Sequence, residues 1–133
     1  INELDIEWHS RLGHVDEQAE HHWREERSRE YDGLRNALSQ NNHNFPADTE
    51  DSGLIIDASI RYLGHTRAPL VLLPVEDALG VLEQANLPGT IDSHPNWRRR
   101  LTTAASPLLD QEDAARRLEL LSQARQQAAE RDR

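Results

Sequence analysis

Leu70-Val71-Leu72-Leu73-Pro74-Val75 is apolar at every position. A half-buried strand alternates apolar and polar residues, and this run does not. Uniform apolarity suits a parallel strand covered on both faces. Glu76 and Asp77 follow, then Ala78-Leu79-Gly80, a short helical turn. A helix is expected just before, at about 53–64, so the order helix, strand, turn reads as one βα step of a parallel α/β sheet. A parallel strand cannot stand alone, and no second run of this quality exists in the chain. The pattern predicts an α/β piece, mostly helical, with one principal parallel-type strand at about 70–75 whose companions lie in other sequence.

Working outward, residues 3–12 read as a short helix, with Leu4, Trp8 and Leu12 on one stripe and Gly13 to stop it. Residues 16–39 read as a long helix that Asp16 can cap. Ala19, Trp23, Tyr31, Leu34 and Leu38 form its apolar stripe, interrupted at Arg27, and most of its surface is expected to face water. Glu20 to Arg24 and Glu25 to Arg29 are favourable i, i+4 pairs. Asn41, Asn42, Asn44, Pro46 and Asp48 predict a loop over 41–51. The helix at 53–64 should turn Ile55, Ala58, Tyr62 and Leu63 inward, with Asp51 or Ser52 as cap. Residues 110–131 read as a closing helix capped by Asp110, with Ala114, Leu118, Leu121 and Ala128 as its stripe.

The 133 residues suit one domain. There is no Met, so Ile1 is not expected to be a natural start, and the chain reads as a piece of something longer; proteolytic maturation is the alternative. There is no Cys, which excludes disulfides and thiolate chemistry. No apolar run approaches the roughly 20 residues that span a bilayer, so no membrane role is expected. Residues 1–60 hold 14 acids and 5 Arg, a net of −9, whereas residues 61–133 balance 10 acids with 10 Arg. An acidic chain repels phosphate backbones, which disfavours nucleic acid as a partner. Hydrophobic content is 36% and aromatics 5%, a thin core for this length, which suits a piece that leans on other sequence to fold.

Residues 81–109 form the long connection past the apolar run. Its 83–90 stretch is Glu83-Gln84-Ala85-Asn86-Leu87-Pro88-Gly89-Thr90, and His94-Pro95-Asn96-Trp97-Arg98-Arg99-Arg100 follows. Ordinary connections are short and plain. A long one rich in hydrogen-bonding groups, just past a strand, is where α/β proteins place ligand contacts. Asn86 carries an amide that both donates and accepts, as sugar hydroxyls do, on a loop stiffened by Pro88. The plainer role is an Asn that satisfies its own turn. Trp97 could stack on a sugar face, but the flanking Arg side chains look like surface anchors, so Trp97 is expected to plug the loop onto the core. Arg98, Arg99 and Arg100 point in different directions and are expected to pair with acids. Glu76 and Asp77, at the end of the expected strand, sit where barrel enzymes place catalytic groups; the plainer role has Asp77 capping the next turn. Glycoside chemistry needs two separated carboxylates rather than two adjacent ones. His21 and His22, with Glu25 and Glu26 four residues on, fall short of a zinc ligand set, and no metal is expected. No Gly-flanked serine elbow supports a hydrolase.

Glu76-Asp77-Ala78-Leu79-Gly80, the 83–90 stretch, and Asp92-Ser93-His94-Pro95-Asn96-Trp97-Arg98-Arg99-Arg100-Leu101 together resemble the C-terminal region of amylomaltases, the bacterial 4-alpha-glucanotransferases also called disproportionating enzymes. Residues 1–69 resemble the preceding part of that family more loosely. The family often has Pro where Ala85 stands and an acid where Ser93 stands; neither departure touches Asn86. The resemblance implies a C-terminal fragment of a (β/α)8 barrel, with residues 70–75 as its eighth strand and residues 1–133 as part of one catalytic barrel. It implies a cytoplasmic enzyme that moves alpha-1,4-glucan segments between maltooligosaccharides by a retaining double displacement. That chemistry rests on two carboxylates and needs no cofactor. The family's catalytic carboxylates correspond to segments before Ile1, so no residue here is expected to be catalytic. What carries over is Asn86 as a contact to donor-side sugar, with the backbone of Leu87 and Gly89 shaping the wall and Gln84 as a further contact. Glu76 and Asp77 would stand behind that wall. The partner implied besides glucan is the N-terminal part of the same protein. A helical interaction module without chemistry is the alternative; the long charged helix and the amphipathic closing helix support it, and the apolar strand stands against it.

Overall fold

The computed structural model describes residues 3–42, 45–101 and 107–131. Five helices follow one another: α1 Leu4–Arg11, α2 Glu17–Asn41, α3 Ser52–Gly64, α4 Val75–Leu79 and α5 Glu112–Arg131, with a 3-10 turn Leu108–Asp110 before the last. Among the described residues there is no strand. The expected α/β class, the strand at 70–75 and the barrel fragment built on it are therefore overturned; the described chain is helical. Residues 70–73 are irregular, Leu70 is 70% and Leu72 77% exposed, and Val75 opens α4. The reason is physical. A short apolar run does not distinguish strand from other conformations by its pattern, and a strand exists only through hydrogen bonds to a neighbour. No other described residues supply that neighbour.

The chain divides into two compact units. The first comprises Ile1–Gly33 and Leu82–Thr102, the second Leu34–Val81 and Thr103–Arg133. In the first, α1 ends as its sequence dictates: Gly13 takes φ +67°, and its N–H bonds the Ser10 carbonyl at 3.0 Å. Ile6, outside the expected stripe, is the buried residue of this helix. Asp16 caps α2 by accepting from the Ala19 N–H at 2.8 Å. Arg27, which broke the apolar stripe, reaches Asp5 of α1 with two bonds of 3.2 and 2.8 Å. The interruption is an inter-helix ion pair. Arg24 holds Glu20 as expected, and also Glu3. The Glu25 carboxylate instead faces His21 at 3.3 Å, while Arg29 bonds the Glu25 carbonyl.

In the second unit α3 packs along α5. Asp51 caps α3, its side chain accepting from Gly53 and Leu54 N–H at 2.8 and 3.3 Å. Ile55 and Ala58 are buried as expected, but Ile60 and Gly64 complete the face, and Tyr62 and Leu63 are exposed. On α5, Ala114 and Ala124 are buried, whereas Leu118 is exposed. Asp110 ends the 3-10 turn instead of capping α5, which begins at Glu112. Arg117 of α5 is almost wholly buried. Its Nε bonds Asp57 of α3 at 3.0 Å and its Nη1 bonds the Ala78 carbonyl of α4 at 2.9 Å, so one side chain joins three helices.

Candidate functional site

The 82–101 loop belongs to the first unit. Pro88, Gly89 and Pro95 keep it out of helix, and Gly89 takes φ +80°. No atom lies within 4 Å of where a Gly89 side chain would begin, so conformation rather than space requires glycine there. Leu87 closes a turn: its carbonyl accepts from the Thr90 N–H at 3.3 Å and from the Thr90 hydroxyl at 2.7 Å. Its side chain is 1% exposed. Leu87 thus anchors the loop, and its backbone N–H is spent on the Asn96 side chain at 2.8 Å. Gln84 is exposed and Asn86 half-buried. Among the described residues the Asn86 side-chain amide has no hydrogen-bond partner. The role of satisfying a turn falls to Asn96, and Asn86 keeps its donor and acceptor unspent.

The second half of the loop forms an arch. His94 is 2% exposed and meets Trp8 of α1 edge to face, with centroids 5.1 Å apart. His94, rather than the expected Trp97, is the plug. Trp97 is 75% exposed and takes φ +58°, a left-handed backbone that aromatic residues seldom adopt. The correction has a local cause. The Trp97 N–H must point back to the Ala85 carbonyl, which it bonds at 2.8 Å, and that backbone turn sends the indole outward. Arg99 pairs with Glu83, and Arg98 with Asp92 at 3.4 Å, so two of the three arginines brace the loop's own acids.

Glu76 and Asp77 lie in the second unit, within the first turn of α4, where carboxylates complement the helix dipole. Asp77 is inside the helix and caps nothing with its side chain; the N-cap position is Pro74. The Asp77 carbonyl accepts from Gly80 and from Arg117, at 3.2 and 3.4 Å. Asn86, Leu87 and Gly89 therefore share one loop with Gln84, while Glu76 and Asp77 belong to the other unit. Among the described residues no group of three or more His, Asp or Glu side chains could hold a metal ion. No helix of the described residues is long and apolar enough to cross a membrane. Sequence reasoning missed Asn96 as a structural donor and acceptor. Its signal was faint: an Asn two residues past His94, in a loop, whose partner lies nine residues away.

The 82–101 loop is thus braced by its own bonds, and among the described residues the Asn86 amide on it has no partner. The family model described as 4-alpha-glucanotransferase matches residues 11–106, and the chain belongs to this family. A stretch of 52 residues is 44% identical to the 4-alpha-glucanotransferase of Mycobacterium bovis, covering 39% of this chain and 7% of that protein. The 4-alpha-glucanotransferases of two Mycobacterium tuberculosis strains match to the same extent. The chain thus spans a small fraction, 7%, of the curated relatives it matches. No solved structure matches.

Proposed function

We propose that this chain is the part of a cytoplasmic 4-alpha-glucanotransferase that presents the 83–90 loop to an alpha-1,4-glucan. The whole enzyme would transfer glucan segments between maltooligosaccharides through a glycosyl-enzyme, with its catalytic carboxylates outside this chain. Asn86 would hydrogen-bond donor-side sugar, Gln84 would add a contact, and Leu87 and Gly89 would set the loop's course. The observation that carries this reading is the family match over residues 11–106, which takes in the entire loop with its unspent Asn86 amide. In the full-length enzyme, Asn86→Ala should raise the barrier to transfer by about 1–3 kcal/mol, the usual cost of a lost polar contact to a buried group. Glucose release from maltotriose measures this, and wild-type kinetics would remove Asn86 from the site. This chain alone should release no glucose.

The helical fold gives one specific support to a second reading, a protein-interaction module, because the strand that stood against it is absent among the described residues. Transfer activity of the full-length protein on maltotriose decides for the enzyme.

A further inference from the structure

Asn86 is held from both sides by the same four-residue arch. The residue before it, Ala85, gives its carbonyl to the Trp97 N–H at 2.8 Å. The residue after it, Leu87, gives its N–H to Asn96 Oδ1 at 2.8 Å. The other end of the Asn96 amide donates to the Thr90 carbonyl at 2.9 Å and to the Thr90 hydroxyl at 2.8 Å. That hydroxyl in turn donates to the Leu87 carbonyl, so every group has a complementary partner. The amide has one possible orientation. The Leu87 N–H can only donate and the Thr90 carbonyl can only accept, which fixes the oxygen toward Leu87 and the nitrogen toward Thr90. Asn96 Oδ1 also meets His94 Nδ1 at 2.7 Å, so Nδ1 must carry the proton. His94 is buried against Trp8 of α1, and its carbonyl accepts from the Asn96 N–H at 2.8 Å. The chain of contacts therefore runs from a helix, through His94 and Asn96, to the turn that starts one residue after Asn86.

We propose that Asn96 is a positioning residue for glucan transfer: its amide clamps the 87–90 turn so that the Asn86 side chain faces donor-side sugar. His94 orients that clamp by donating to the same oxygen. The proposal rests on the reading of Asn86 given above. Catalytic contacts tolerate little misplacement, and a shift of about 1 Å at a contact residue can cost roughly 100-fold in rate. A clamp with four bonds on one amide leaves little room for such a shift.

A double-mutant cycle in the full-length enzyme tests this, with glucose release from maltotriose as the readout and thermal unfolding as the control. Asn86→Ala and Asn96→Ala should each lower kcat. The pair should lower it by no more than about twofold beyond the larger single loss, because the clamp acts through Asn86. Losses that multiply would mark a general structural role and overturn the proposal. So would wild-type kcat in Asn96→Ala beside an impaired Asn86→Ala, which leaves the reading of Asn86 intact. Wild-type kinetics in Asn86→Ala would overturn that reading, and the clamp's purpose with it. Asn96→Asp is the second variant. It keeps the acceptor for Leu87 and sets a carboxylate oxygen against the Thr90 carbonyl, so it should be as slow as Asn96→Ala. Failure of both variants to fold would assign Asn96 to the scaffold alone and overturn the proposal.

Discussion

Asp5 is a carboxylate whose surroundings pull in opposite directions. Burial raises its pKa, but the two bonds and the charge of Arg27, with backbone N–H groups at the start of α1, outweigh that and hold it below its ordinary value of 3.8. A depressed folded-state pKa stabilises the fold above the unfolded value, and the stability is lost as pH falls through the folded value. Acid unfolding followed by circular dichroism should therefore steepen below about pH 4, and Asp5→Asn should flatten that limb while lowering stability at neutral pH. An unchanged acid limb would show that the pair does not form. Arg27 was legible as an anomaly, a cation on an apolar stripe, but its partner was not, because Asp5 is 22 residues away. Trp97 shows the converse. Its type suggested burial, yet one backbone bond to Ala85 decided where the ring points.

The helices were legible through local causes: periodicity, a capping Asp before α2 and α3, a stopping Gly after α1. What periodicity could not settle was which neighbour each face meets. Gly64 marks a close approach of α3 and α5, since a Cβ there would lie 2.5 Å from the Ala124 Cβ. The obstacle is a methyl on a helix backbone, so the helices themselves must part. Overpacking of this kind costs about 1–3 kcal/mol. The gain from Ala over Gly in a helix is about 1 kcal/mol and shrinks at a last position such as Gly64. Gly64→Ala should thus destabilise the chain in urea unfolding. Gly33→Ala is the counterpart, because Gly33 lies inside α2 with no atom within 4 Å of the new methyl, so only the propensity gain remains. Opposite signs for the two are expected, and equal signs would contradict the α3–α5 contact. The apolar run at 70–73 failed as an element for a complementary reason: a helix closes its own hydrogen bonds, and a strand must find them elsewhere.

At the scale of the whole molecule, the chain divides into two units, and among the described residues each has few fully buried side chains. The residue types and order of the loop carried the family. The bonds that tie its two halves together were not legible, since Asn96 to Thr90, Asn96 to Leu87 and Trp97 to Ala85 are 6, 9 and 12 residues apart with no repeating spacing. Stability in such a molecule is local, and hydrogen exchange reads it amide by amide. Within the second unit, protection should be greatest in α3 and in the 114–124 part of α5, where Ile55, Ile60, Ala114 and Ala124 are buried. Within the 82–101 loop of the first unit, the Leu87 and Trp97 amides should exchange more slowly than exposed neighbours such as Gln84 and Arg100. Each of the two is bonded, Leu87 to Asn96 and Trp97 to Ala85. Asn96→Ala removes the acceptor for Leu87 and leaves the one for Trp97, which is a backbone carbonyl. Leu87 should then lose its protection first. Equal loss at both amides would mean that the arch opens as one piece, and equal retention would mean that the Asn96 bond contributes nothing to the loop.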